Sequence, residues 1–243
     1  FFFFSLPGIA ALLLTFFVRS KQASKPLQEK PLELLKQYAK IFNLKQYSPN
    51  FKILLGGQLL VALFNSSDIF LLLRAREILG GGVMIGSYTI DPALGVIGVY
   101  ILYCLFDSLF NHPMGVLADK IGFQRTFGIA LCVFVGVYTV LAHTSSPLVL
   151  VLAMALYGIF AAGNDAVVKA WTTTTLPQTH MGRGLGVSSS LQSLTFLVAS
   201  LLSGLLWQQF GSAIALSVCA LGMLIPIIYF ELQKDRLVQY KTQ

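Results

Sequence analysis

The sequence predicts an all-helical (all-α) integral membrane protein. Three observations carry that expectation: an apolar composition, seven long runs almost free of charge, and a one-sided distribution of basic residues. Of 243 residues, 56% are apolar and 11% charged, against about 25% charged in an ordinary soluble domain, so most of the surface is matched to lipid rather than water. The runs, roughly 1–18, 53–73, 94–113, 126–142, 148–169, 186–206 and 212–230, approach the length of about 20 residues at which a helix crosses a hydrocarbon core of about 30 Å. The first, in FFFFSLPGIAALLLTFFVRS, has no initiating methionine, basic leader or small-residue cleavage site. It reads as the interior of a longer polypeptide rather than as a signal sequence.

Charge sets the expected orientation. Of the 17 Lys and Arg residues, all but Arg74, Arg76 and Lys169 fall in segment 19–52 or in alternate connections after it: Lys120 and Arg125, Arg183, then Lys234, Arg236 and Lys241. The positive-inside rule therefore places segment 19–52 and the C-terminus in the cytoplasm, and the chain in the cell (inner) membrane. The net charge of +7 reports that topology and contact with anionic headgroups. No basic patch interleaved with aromatics points to nucleic acid. Cys104, Cys132 and Cys219 occupy separate spans and read as small buried packing residues, without disulfide or metal spacing. His112, His143 and His180 are scattered, and Ser188, Ser189 and Ser190 have no neighbouring base. No catalytic, cofactor or metal site is therefore expected.

Segment 19–52 has an order of its own. Polar residues run to Pro31; LELLKQYAKIFNL then places Leu34, Leu35, Tyr38, Ile41 and Phe42 on one helical face, with Lys36, Lys40 and Lys45 elsewhere. Such a helix either lies on the membrane surface among anionic lipids or packs on the protein as a connector.

Between the third and fourth spans stands GVLADKIGFQR, residues 115–125. It predicts a short hairpin on the cytoplasmic side, with Gly115 and Gly122 allowing close approach and tight turning. Asp119 then sits near a helix end, where it can pair with Lys120 or Arg125 or cap a neighbouring helix, as a reversible latch between helix ends. A loop that merely obeys positive-inside statistics accounts for Lys120 and Arg125 but not for Asp119 or the glycine spacing.

This stretch resembles the loop signature of the major facilitator superfamily, Gly-x-Leu-Ala-Asp-Lys/Arg-x-Gly followed by three basic residues. The match is at Gly115, Leu117, Ala118, Asp119, Lys120, Gly122 and Arg125, with Phe123 and Gln124 where the family has basic residues. NSSDIFLLLRARE (65–77), ALYGIFAAGNDAVVKA (155–170) and GLGVSSSLQSLTFLVASLLSGLLWQQFG (184–211) resemble the same family's C-terminal half. Met181 stands there at an expected arginine, and Arg183 follows two residues later. The resemblance implies two six-helix halves joined by a long cytoplasmic loop, with substrate near the midplane and rocking of the halves exposing it to alternate sides. On that reading 1–18 is the last span of an incomplete N-terminal half, 19–52 the loop, 53–230 the C-terminal half and 231–243 a tail. The implied partners are a small-molecule substrate, protons, membrane lipids and the missing N-terminal half.

Polar groups inside spans are costly against lipid and are by default cavity or pairing residues. Asn65, Asp68, Tyr103, Asp107, Asn164, Asp165 and Lys169 are the candidates for a substrate or proton pathway. At about 1.5 Å per residue Asp107 lies roughly 18 Å from Asp119, near mid-membrane; Asp68 lies towards the outside, and Asp165 and Lys169 towards the cytoplasm. Asp165 and Lys169, four apart, form either an intrahelical pair or a ligand contact. Asp107 has no partner on its own helix: it is either a proton carrier, since a desolvated carboxyl favours its neutral form, or the partner of a residue in the missing half. Asn65, Ser66, Ser67 and Asp68 read either as a broken, polar-lined turn or as side chains bonding back to helix carbonyls.

The expected function is secondary active transport of a small solute by alternating access, coupled to protons. The alternative, a seven-span receptor or other non-transport membrane protein, shares the span count. It would have an unusually long first loop, and Lys169, the only intramembrane lysine, lies in the fifth span instead of the last.

Overall fold

The structure, a computed structural model, describes residues 44–85 and 88–238. The first expected span and most of segment 19–52 lie outside the described residues. Six helices, two of them interrupted, are long and apolar enough to cross a membrane: Pro49–Leu79, Pro92–Ile121, Phe123–His143, Pro147–Thr174, Gln178–Phe210 and Ser212–Leu232. These are the six spans expected between 53 and 230, each extended by a few residues.

The first described span starts with α1 (Pro49–Phe64), where Pro49 occupies the first turn and the Ser48 hydroxyl accepts from the Phe51 N–H at 3.2 Å. The same hydroxyl donates to the Thr175 carbonyl at 3.1 Å, tying this end to the end of a later span. At Asn65 the backbone turns extended, with φ −87° and ψ 101°. The chain re-enters a helix as α2 (Asp68–Leu79) after Ser67. The break falls on three consecutive residues of low helix propensity; Ser67 gives α2 no side-chain cap, and the Ser66 hydroxyl bonds to Tyr138 instead of to backbone. Of the two sequence readings at 65–68, the structure takes the broken turn.

Glycines 80–82 end α2, with Gly82 at φ 75°, and a two-stranded antiparallel hairpin follows, β1 (Val83–Ile85) with β2 (Tyr88–Ile90). It is the departure from helix among the described residues. The span α3 (Pro92–Ile121) opens with Asp91, whose carboxylate accepts from the Ala93 N–H at 2.7 Å. It runs unbroken through GVLADKI, so the expected loop is helix: Asp119 and Lys120 ride the last turn. The whole connection to α4 (Phe123–His143) is Gly122 at φ 96°. A Lys in the last turn and a glycine able to take positive φ are what a helix C-terminus needs, so nothing forces the helix to end earlier.

Next come α5 (Pro147–Thr174), α6 (Met181–Phe210), and a last span interrupted at Met223, made of α7 (Ser212–Gly222) and α8 (Leu224–Leu232); a short α9 (Lys234–Val238) lies in the expected tail. The core sits between α4 and α5, where Phe127, Leu131, Phe134, Tyr138, Leu150, Met154, Tyr157 and Phe160 are fully buried. Small residues set the helix approaches. A Cβ at Gly158 would meet the Tyr103 carbonyl at 2.6 Å and the Asp107 nitrogen at 2.9 Å, so α3 and α5 touch backbone to backbone. The first and last spans interlock reciprocally: the Phe64 ring sits on Gly222 and the Phe230 ring on Gly57.

Two sequence expectations need correction. Cys104 and Cys132 are exposed on the bundle's surface, and Cys219 alone of the three is buried. In lipid a small apolar side chain is as well placed outside as inside, so its span gives no clue to its side. Asp119, Lys120 and Arg125 are all exposed and form no ion pair with one another, and the N-cap of α4 is Gly122, without a side-chain bond. The helical course of 115–121 fans these side chains outward instead of folding them over a loop. Gln124, one of the departures from the family pattern, donates instead to the Phe230 carbonyl at 2.7 Å and pins α4 to α8.

Candidate functional site

The break at 65–67 opens the polar interior. Because α2 begins at Asp68, that carboxylate projects from a helix N-terminus inside the span, where backbone N–H groups favour negative charge. Tyr157 donates to Asp68 Oδ1 at 2.7 Å and Tyr103 to Oδ2 at 3.2 Å, so phenols from α5 and α3 close on one carboxylate. The close approach at Gly158 brings those two helices, and hence those two rings, within 5.2 Å centroid to centroid. Beside them the Ser66 and Tyr138 hydroxyls share a bond of 3.0 Å. Each buried phenol thereby keeps a partner, as burial requires.

Asp107 lies one helical turn beyond Tyr103 on α3, about 6 Å along the axis. Its Oδ1 is buried and has no hydrogen-bond partner. The expected separation in depth, with Asp68 towards the outside and Asp107 central, is thus bridged by Tyr103 into one polar neighbourhood.

A second assembly lies on the other side of the break. The Gln58 amide on α1 donates to Thr172 at 2.9 Å and accepts from Ser188 at 2.8 Å and Gln192 at 3.1 Å, so α1, α5 and α6 meet at one side chain. Above it opens a cavity of about 270 Å³ lined by Gln58, Asn65, Asn164, Gln192 and Ser193, with Phe127 and Phe196 among its apolar walls. Asn65 Oδ1 is buried there without a partner. An amide-lined cavity without charged walls presents both hydrogen-bond donors and acceptors, and Asn65 Oδ1 adds a free acceptor.

The candidates therefore fall into groups. Asn65 and Asn164 meet in the cavity, Asp68 and Tyr103 are bonded, and Asp107 is adjacent. Asp165 and Lys169 form an intrahelical pair at 3.0 Å with side chains 58% and 73% exposed, apart from the cavity lining. Asp119, Lys120, Gly122 and Arg125 lie at the α3–α4 turn and Gly115 about two turns earlier inside α3; a Cβ at Gly115 or Gly122 would meet nothing within 4 Å, so the expected close approach is not made there and Gly122 serves the turn alone. Sequence reasoning missed the joining roles of Gln58, Tyr157, Thr172 and Gln192. It also missed Arg74, read only as one of three basic residues outside the expected cytoplasmic segments, which joins α2 to α4 and α7. Polar residues in apolar runs were the available signal; their partners were not.

Six membrane-length helices enclosing a polar interior define a multi-pass membrane protein of transporter-like fold. The chain belongs to the Major Facilitator Superfamily, whose profile matches residues 82–240. It is similar to two uncharacterised MFS-type transporters of Methanocaldococcus jannaschii. One is 30% identical over 188 residues, 75% of this chain and 44% of that protein; the other is 29% identical over 135 residues, 55% and 35%. The fold is similar to the crystal structure of an auto-inhibited POT family peptide transporter, with TM-score 0.61, 18% identity, and 78% of this chain and 38% of that one covered. It is also similar to the in meso crystal structure of the POT family transporter PepTSo, with TM-score 0.63, 16% identity and coverage of 79% and 38%. The chain thus spans less than half the length of the relatives it matches.

Proposed function

We propose that this chain is the C-terminal half of a secondary active transporter that moves a small solute by alternating access, with coupling to protons. On this reading residues 1–18 belong to the preceding half and 19–52 form the cytoplasmic link. The observation that carries it is the pairing of an amide-lined cavity with two interior carboxylates in unequal surroundings. Asp68 is satisfied by two phenols, while Asp107 has a buried oxygen with no donor. A carboxylate whose charge is left uncompensated away from water is neutralised either by a proton or by a partner, and exchanging the two is what coupling requires. The relatives support the transporter reading, both being MFS-type transporters by name.

The test is uptake by the full-length protein in vesicles. Asp107→Asn imitates the protonated carboxyl permanently, so accumulation driven by a pH gradient should vanish. Exchange of labelled for unlabelled substrate should continue, since exchange needs rocking without net proton movement. Intact gradient-driven accumulation in Asp107→Asn would overturn the assignment and pass the role to Asp68 or to the other half.

A further inference from the structure

The cavity above Gln58 has a floor and sides built by this chain alone. Its floor amide Gln58 and its apolar sides, Val61, Ala62, Phe127 and Val168, are buried, while Ser193 and Phe196 are exposed at its mouth. Four helices, α1, α4, α5 and α6, supply these residues. Whatever faces the mouth in the full-length transporter therefore covers the cavity without replacing its floor or sides. At about 270 Å³ it lies just below the range of about 300–1,000 Å³ usual for small-molecule sites, so it seats one small ligand or one moiety of a larger one.

The polar groups divide into engaged and free. Gln58 accepts from Ser188 and Gln192 and donates to Thr172, which fixes the floor. The Asn65 amide, the Asn164 amide and the Ser193 hydroxyl make no hydrogen bond among the described residues, and Asn65 Oδ1 is buried in that state. A buried acceptor without a donor is destabilising until something supplies one. An amide offers N–H donors beside an acceptor, and a hydroxyl one donor beside two lone pairs, so the free groups together call for a ligand that both gives and takes hydrogen bonds at several points. Among the described residues no Asp, Glu, Lys, Arg or His lines the cavity. Asp165 and Lys169, each next in sequence to a lining residue of α5, pair with one another.

We propose that this cavity binds a neutral polyhydroxylated ligand of monosaccharide size, with its hydroxyls on Asn65, Asn164 and Ser193 and its C–H face against Phe127 and Phe196. The inference deepens the transporter reading, on which its physiological meaning rests. Each hydroxyl of a polyol both gives and takes a hydrogen bond, matching an amide in either orientation. A carboxylate has nothing to give Asn65 Oδ1, an ammonium accepts from no N–H, and either would be buried without a counter-charge. A nucleobase presents its donors and acceptors along planar edges, whereas the free groups here stand at the end of α1, on α5 and on α6.

The experiment is isothermal titration of the full-length protein in detergent with glucose, mannitol and myo-inositol, and with glutamate, lysine and uridine as the charged and planar alternatives. At least one of the polyols should bind saturably, about tenfold or more tightly than glutamate, lysine or uridine, since each of these leaves a cavity group unpaired. Asn164→Ala should weaken that polyol about tenfold, and Asn65→Ser, which keeps a short polar residue at the break, should weaken it as well. Neither variant removes a side-chain bond made within the described residues, so the unliganded melting temperatures should not change. Binding of none of the polyols, tighter binding of glutamate, lysine or uridine, or an unchanged polyol affinity in either variant would each overturn the proposal. Binding needs neither a pH gradient nor rocking, so a polyol that binds in this way without gradient-driven accumulation would sink the coupled-transport reading and leave this assignment standing.

Discussion

Arg74 shows how much one side chain organises at the hairpin end of the bundle. Its Nε donates to the Leu141 carbonyl at 2.9 Å and Nη2 to the Thr144 carbonyl at 2.9 Å, satisfying acceptors that the end of α4 leaves open. Its Nη1 reaches Glu77 at 2.8 Å and Ser212 at 3.1 Å, and Ser212 in turn donates to Glu77 at 2.6 Å, so α2, α4 and α7 share one knot. The Arg74 side chain is 14% exposed, so its bonds to the carbonyls at the end of α4 are partly shielded, whereas Glu77, 42% exposed, meets water. Lysine has neither the planar fork nor the donors to replace Arg74. Arg74→Met should lower the stability of the full-length protein in detergent by about 2–4 kcal/mol, and Arg74→Lys should recover only part of this. An unchanged unfolding temperature for Arg74→Met would mean the knot contributes nothing net.

At the scale of elements, two features separate rigid from movable parts. The reciprocal seating of Phe64 on Gly222 and Phe230 on Gly57 locks the first described span to the last, and the close approach at Gly158 locks α3 to α5. The α3–α4 turn is different. Gly122 allows the reversal, and Asp119 beside it is exposed and unpaired among the described residues. A latch at this turn therefore needs a partner beyond those residues, which distinguishes its signature from that of a folding residue. Asp119→Asn should leave thermal stability unchanged while uptake by the full-length protein slows about tenfold at unchanged substrate affinity. Equal uptake rates would reduce the turn to a topological role.

For the whole molecule the topology is the falsifiable statement. The helix α5 separates Ser145, just before it, from Arg183, early in α6, by one complete crossing. Cysteines introduced at these two positions in the full-length protein should react with impermeant reagents from opposite faces of the membrane. Labelling from the same face would sink the six-crossing arrangement.

The sequence by itself determined the spans, the family resemblance and the polar residues worth watching. Each is a local property: hydropathy accumulates along a run, and GVLADKIGFQR is contiguous. It left open whether Asn65–Asp68 breaks the helix, because helical back-bonding and a broken turn use the same short polar residues. It misread 115–121 as loop, because charges near a membrane interface suit a helix end and a loop equally. Only the tertiary structure decided which polar groups meet. Asp68 and Tyr157 lie 89 positions apart, and Gln58 and Gln192 lie 134 apart. In lipid both sides of a helix are apolar, so no stripe of hydrophobic residues tells which face turns inward. The partners of Asp68 and the grip of Arg74 depend on that facing, which is fixed by close approaches such as Gly158 and not by any pattern along one span.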